Sequence, residues 1–200
     1  MVVRGSMCYC RERAVFRLRG YRLRRLRELR VRHFWLLPDY TDAETVIITS
    51  SSDEKLAQAK ELGADYTINY RTNPDWEKTV MEVTNNHGAD IVLETGGAKT
   101  LKKSFDCIAF GGLIDCIGYL SGKVDEPEDR TNVNVLALRR NVTLKGIING
   151  PKDRFEEMIK FYEKHQIRPV VNRVFSFDEA KEAFNFLYSG SHFGKVVITV

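Results

Sequence analysis

Apolar positions along this 200-residue chain switch repeatedly between strand-like runs and helical spacing. Val46 to Ile48 is a short β-branched run, as in a strand buried on both faces. Ser51 and Glu54 have the Ser-x-x-Glu spacing of a capping box, which predicts a helix from Ser52 or Asp53. Leu56, Ala59 and Leu62 continue it at helical spacing, and Gly63 stands where a left-handed stop is wanted. Tyr66 to Asn69 begins a second strand, completing a βαβ unit. The alternation then repeats. A helix after Pro74 carries Trp76, Val80 and Val83 and stops at Asn85-Asn86-His87-Gly88. A strand at Ile91 to Leu93 closes at Glu94-Thr95-Gly96-Gly97. A helix from Ala98 carries Leu101, Phe105 and Ile108 and ends at Gly111-Gly112. A strand at Leu113 to Ile117 ends at Gly118-Tyr119, and Val142 to Ile148 reads as another. Phe155, Ile159 and Tyr162 mark a helix ending by His165. Ile167 to Phe175 leads into a second capping box, Ser176-x-x-Glu179, before a helix with Ala180, Phe184 and Leu187 on its apolar face. Val196 to Val200 closes the chain as a strand. Strands alternating with helices in this way predict an α/β, doubly wound parallel sheet.

Charge divides the chain into two parts. Of its 31 basic and 27 acidic residues, 11 arginines and three acids (Glu12, Glu28, Asp39) fall in residues 1–40, leaving 20 bases and 24 acids in the rest. The larger part is mildly acidic, which points to neither nucleic acid nor membrane as a partner. Cys107 and Cys116 lie in apolar runs, Cys8-x-Cys10 is too tight for a zinc knuckle, and no Cys/His cluster has ligand spacing. The cysteines predict a reducing compartment, taken as the cytoplasm. No apolar run reaches the roughly 20 residues that span a bilayer.

Residues 1–44 repeat an Arg-Leu-Arg theme with no clean apolar face. The segment reads as disordered or non-homologous. An arginine-rich mitochondrial leader, a basic arm for nucleic acid, and a surrogate strand or helix for the domain are its functional readings. Such a run is also what GC-rich DNA gives when translated out of frame, as from a mis-called exon.

The chemistry expected of this fold gathers where strands end. A carboxylate at the end of the first strand accepts ribose hydroxyls and favours NAD, whereas a cation with hydroxyls accommodates the extra phosphate of NADP. Here that strand ends in Thr49, Ser50, Ser51 and Ser52, followed by Lys55. The same serines are also good helix caps, and Lys55 is equally suited to a solvated first turn.

Ser51-Ser-Asp-Glu-Lys55, Leu62-Gly-Ala-Asp65 and Ile68-Asn-Tyr-Arg71 resemble the cofactor domain of the medium-chain dehydrogenase/reductase superfamily, nearest its zinc-type alcohol dehydrogenases and quinone oxidoreductases. The resemblance runs from about residue 45 to 200. It implies a Rossmann-like sheet lacking its first strand and Gly-rich loop over residues 45–165, followed by the tail of a catalytic domain over residues 166–200. It further implies hydride transfer between NADP(H), in preference to NAD, and an alcohol, carbonyl or quinone, in a truncated form whose own activity is in question. A non-catalytic nucleotide-binding or interaction fragment is the alternative. The cofactor-binding residues it implies are Ser50, Ser51, Lys55 and Tyr70 around the 2′-phosphate, and Thr95 and Gly96 near the adenosine. Gly118, Tyr119, Ile147 and Ile148 lie along the nicotinamide side, with Phe193 and Lys195 beside it. No catalytic residue is assigned, and no zinc is expected, since the family's zinc ligands belong to a catalytic domain that precedes this one. A small-molecule substrate is implied, and a homodimer is among the assemblies the resemblance allows.

Overall fold

The computed structural model describes residues 13–18, 43–122, 126–127, 130–148 and 150–200. They fall into two compact units, divided between Gly150 and Pro151.

The first unit is built on a six-stranded sheet. In chain order its elements are β1 (Arg13–Leu18), β2 (Ala43–Ser50), α1 (Asp53–Glu61), β3 (Tyr66–Asn69), α2 (Trp76–Val83), β4 (Ala89–Glu94), α3 (Ala98–Cys107), β5 (Ile108–Cys116), α4 (Val133–Arg140) and β6 (Thr143–Gly146). The strand order is β3-β2-β1-β4-β5-β6, the order of a doubly wound nucleotide-binding fold. β2 pairs with β3 in parallel, as do β4 with β5 and β5 with β6. β1 is the exception. Arg13–Leu18 occupies the slot of the parallel first strand of such a sheet and runs antiparallel to both neighbours. It meets β2 from Arg13 opposite Thr49 to Leu18 opposite Ala43, but meets β4 only at Val15–Val92 and Phe16–Ile91. A surrogate strand is thus the role residues 13–18 take; the other readings of residues 1–44 lie largely outside the described residues.

The core forms between the sheet and the helices that cover it. Ile47, Val92, Ile108 and Ile114 are fully buried and pack with Ile68, Trp76, Val80 and Phe105. Burying each such side chain contributes about 1.5–3 kcal/mol, so this cluster ties α2 and α3 to the strands. Ile108 is not a helix residue, as its spacing suggests, but the first residue of β5. Gly111-Gly112 does not end a helix either. It lies inside β5, in the irregular stretch that takes the register from Ala89–Ile108 to Ile91–Leu113.

Helix ends explain two further differences from expectation. The residue capping α1 is Ser52, whose Oγ accepts from the Lys55 backbone N–H at 3.3 Å. Ser51 and Glu54 therefore form no capping box, and Glu54 instead accepts from Ser52 Oγ at 2.5 Å. α4 is a helix that the periodicity did not predict. Asn132 caps it by accepting from the Val135 N–H at 3.2 Å, and Arg139 and Arg140 end it at a left-handed Asn141.

The second unit contains α5 (Lys152–Lys164), β7 (Val171–Phe175), α6 (Ala180–Ser189) and β8 (Lys195–Ile198), with β7 and β8 parallel. The predicted capping box forms: the Ser176 N–H donates to Glu179 Oε2 at 2.9 Å. It opens a single 3₁₀ turn before α6. The apolar face of α6 is not the expected one, because Phe184 is 64% exposed and Ala183 is the buried residue. Phe175, Phe186 and His192 stack in sequence, with the Arg173 guanidinium 4.4 Å from the Phe175 ring centre.

Candidate functional site

In this topology the carboxyl ends of β2, β4, β5 and β6 share one edge of the sheet. Four of the expected residues gather at the β2 end. Ser50 is the last residue of β2 and is buried, with its Oγ accepting from the Ser52 N–H at 3.3 Å. Its carbonyl accepts from the Tyr70 N–H at 3.0 Å, so the parallel pairing of β2 and β3 brings Tyr70 beside the serine turn. Tyr70 is half-buried and packs against the core. Ser51 and Lys55, both half-buried, lie on the turn and the first helical turn, and the Ser51 hydroxyl has no hydrogen bond within the described residues. The two acids nearby are engaged elsewhere. Asp53 Oδ1 accepts from Asn69 Nδ2 at 2.7 Å, and its hydrogen bond from Ser52 holds the Glu54 carboxyl below its usual range.

The other three strand ends are laced to one another. Glu94, the last residue of β4, is 1% exposed. Its Oε1 accepts from the N–H groups of Gly96 at 2.7 Å and Gly97 at 3.2 Å and from Thr100 Oγ1 at 2.6 Å, while its Oε2 accepts from Ser104 Oγ. Glu94 thereby ties the Gly96-Gly97 turn ahead of α3 to the Thr100 and Ser104 hydroxyls on that helix. The loops after β4 and β5 then bind each other. The Leu120 N–H donates to Thr95 O at 3.0 Å, and the Ser121 N–H and Oγ both donate to Gly96 O at 2.7 Å. Gly97 has φ +90, and a Cβ there would lie 2.8 Å from Tyr119 Cα. A Cβ on Gly118 would lie 2.9 Å from Thr95 O. Only glycine permits both the left-handed turn and this approach. The Ile147 N–H donates to Cys116 O at 2.9 Å, adding the β6 loop. Thr95, Gly96, Gly118, Tyr119, Ile147 and Ile148 are therefore brought to one edge. Beside them opens a cavity of about 450 Å³ lined by Glu94, Ala98, Leu101, Cys116 and Tyr119.

Phe193 and Lys195 belong to the second unit, where Phe193 is buried and the Lys195 N–H donates to Val170 O at 2.8 Å. His192 is likewise buried, against Phe186. His87 pairs with Asp90 at 3.2 Å on the partly exposed stop of α2, as a helix-terminal histidine does.

Two residues have weight that sequence reasoning missed. Ser121 joins both loops, since besides donating to Gly96 O it accepts from the Lys99 N–H at 3.1 Å; a serine three residues past Gly118 carries no local signal of this. The second is Asp115. It lies in β5, between β4 and β6, is fully buried, and neither carboxylate oxygen has a hydrogen-bond partner among the described residues. Burial pushes its carboxyl above the usual range, opposed by the charge of Lys145 opposite it on β6. Burial also raises the Cys116 thiol, aided by the negative charges of Glu94 and Asp115.

A family model described as zinc-binding dehydrogenase matches residues 40–164. The chain belongs to the zinc-binding dehydrogenase family. This is the alcohol dehydrogenase-like part of the medium-chain dehydrogenase/reductase superfamily, and the matched residues take in β2 to β6 of the Rossmann-like sheet and, beyond it, α5. A zinc-type alcohol dehydrogenase-like protein of Schizosaccharomyces pombe is 42% identical over 155 residues, covering 78% of this chain and 44% of that protein. A quinone oxidoreductase-like protein 2 homolog of Nematostella vectensis is 28% identical over 162 residues, covering 76% of this chain and 43% of its own length. Among solved structures, one from Sinorhizobium meliloti assigned as an alcohol dehydrogenase matches with TM-score 0.71 at 35% identity, over 82% of this chain and 46% of that one. The chain thus spans less than half the length of these relatives. Among the described residues of this family member, no group of three or more His, Cys, Asp or Glu could hold a metal ion, and no helix is long and apolar enough to cross a membrane.

Proposed function

We propose that this chain is the cofactor-binding half of an NADP(H)-dependent oxidoreductase, and that it binds the cofactor without turning substrate over by itself. The whole protein would transfer hydride between NADP(H) and an alcohol, carbonyl or quinone, the chemistry supplied by the nicotinamide when bound. The observation that carries the preference for NADP is the composition of the β2 end. Ser50 stands where a ribose-binding carboxylate would favour NAD. Ser51 has an unengaged hydroxyl, Lys55 supplies a cation, and Asp53 and Glu54 are occupied by Asn69 and Ser52. A dianion fits such a set, since charge-assisted hydrogen bonds favour it. Likeness alone does not carry this preference: an NAD-dependent alcohol dehydrogenase of solved structure is 33% identical to this chain, over 43% of its own length.

In this reading Ser50, Ser51, Lys55 and Tyr70 surround the 2′-phosphate, and Thr95 and Gly96 approach the adenosine. Gly118, Tyr119, Ile147 and Ile148 face the nicotinamide side. The absence of turnover follows from what the chain carries: no described side chain at the strand ends is set as acid, base or nucleophile, with Glu94 engaged by the Gly96 and Gly97 N–H groups and the Thr100 hydroxyl. The small-molecule substrate would be held largely by residues of the remaining length of the protein, and a homodimer is the assembly we propose for it, in the cytoplasm. Titration of NADPH into Lys55→Ala tests the cofactor assignment. A loss of about tenfold in affinity is expected, since one charge-assisted hydrogen bond contributes about 1.5–3 kcal/mol. Unchanged NADPH affinity would defeat it.

A further inference from the structure

Helix α3 begins without a capping side chain of its own. Its N-cap residue is Gly97, which has nothing to offer the N–H groups of the first turn. A Cβ on Gly97 would lie 2.8 Å from Tyr119 Cα and 3.0 Å from Gly122 O. The loop after β5 thus takes the space that a capping serine or aspartate would need. That same loop supplies the missing acceptor. Ser121 Oγ accepts at 3.1 Å from the N–H of Lys99, the second residue of α3. An N-cap side chain ordinarily bonds that N–H or the next one. Ser121 therefore caps α3 from 22 positions beyond the residue it bonds.

The cap also fixes the loop. Ile117 and Gly118 are anchored at its base, where their N–H groups donate to Glu94 O at 2.8 and 3.3 Å. Further along, the Leu120 N–H donates to Thr95 O, and the Ser121 N–H and hydroxyl both donate to Gly96 O. Apolar burial adds little, since Tyr119 is 54% and Leu120 40% exposed. A segment with few buried apolar contacts is held mainly by its hydrogen bonds. Gly97 and Ala98 line one side of the 450 Å³ cavity, and Gly118, Tyr119 and Gly122 line it from the loop, so Ser121 joins two of its walls. We infer that Ser121 is a positioning residue for the cofactor. It holds the loop bearing Gly118 and Tyr119 against the start of α3, so that the nicotinamide end meets a wall already in place. This role rests on the cofactor reading above, which puts Gly118 and Tyr119 on the nicotinamide side. Ser121 acts through the loop, because its N–H and hydroxyl are engaged by Gly96 and Lys99. A loop held beforehand needs less ordering when ligand arrives, which raises affinity without a new contact.

Titration of the full chain with NADPH and with adenosine 2′,5′-bisphosphate, which lacks the nicotinamide end, tests this role. Ser121→Ala is expected to weaken NADPH about fivefold, the effect of one hydrogen bond, and to leave the bisphosphate within about twofold. Its circular dichroism should be unchanged. Ser121→Thr keeps the hydroxyl and should return NADPH affinity to within about twofold of the unaltered chain. A serine that only stabilised the fold would lower the melting temperature of Ser121→Ala and leave the ratio of the two affinities as it was. That unchanged ratio, or a threonine variant no better than the alanine one, would overturn the inference and leave the cofactor reading intact. Failure of the unaltered chain to bind NADPH would defeat the cofactor reading, and the inference with it.

Discussion

The two sides of the sheet, separated by β1, are held together by different means. On the β4-β5-β6 side a single buried carboxylate, Glu94, gathers two backbone N–H groups and two hydroxyls, and two glycines let the neighbouring loops touch backbone to backbone. On the β2-β3 side the turn after β2 is held by short side chains bonding locally, Ser50 to Ser52, Ser52 to Lys55, and Asn69 to Asp53. The first arrangement spends its polar groups on itself. The second leaves a hydroxyl unengaged at its rim. A self-satisfied scaffold and a turn with an unengaged hydroxyl thus sit on the same edge, and the difference lies in whether hydrogen-bonding capacity is consumed inside the fold.

Substitutions should divide along that line. Glu94→Ala should cost the most stability, several kcal/mol, because it orphans buried donors that each gain about 1.5–3 kcal/mol from a charged acceptor; a urea melt reads it directly. Gly97→Ala should follow with a loss of about 1–3 kcal/mol, from left-handed strain and a collision with Tyr119. Asp115→Val should act the other way and stabilise by about 1–3 kcal/mol at neutral pH, since it removes a buried carboxyl with no partner. The sign of its pH dependence follows from the raised folded-state value. The folded chain binds the proton more tightly than the unfolded chain, so stability falls as pH rises from about 4 through the folded value. That downward slope should be shallower in Asp115→Val, and an unchanged slope would assign it to another group. Ser52→Ala should give the smallest effect, about 1 kcal/mol for a lost N-cap, read as a small drop in melting temperature.

Legibility in the sequence followed the same physical divide. The β2-α1-β3 unit could be read because its strand is continuously apolar, its helix has three periodic residues, and a glycine ends it. β1 could not. A central strand is expected to be almost wholly apolar, and Arg13 and Arg17 within Arg13–Leu18 break that expectation. α4 was missed because none of its residues is buried, so no stripe marks it. Gly111-Gly112 was misread because a glycine pair after an apolar run looks the same at a helix stop as at an irregular strand. Among the candidate residues, the gathering of Ser50, Ser51, Lys55 and Tyr70 at one strand end was legible from the βαβ pattern. The lacing through Glu94 and Ser121 was not, because it depends on contacts between residues up to 25 positions apart.

The orientation of β1 is the claim on which this account of the sheet rests, and cross-strand nuclear Overhauser effects between Hα atoms report it directly. Antiparallel pairing brings opposed Cα atoms to about 4.5 Å at alternate positions, which parallel pairing does not. Hα–Hα effects linking residues of Arg13–Leu18 to their partners in Thr45–Thr49, such as Val15 with Ile47 or Phe16 with Val46, are the result expected. A parallel pattern between these segments, or no contact between them at all, would contradict it.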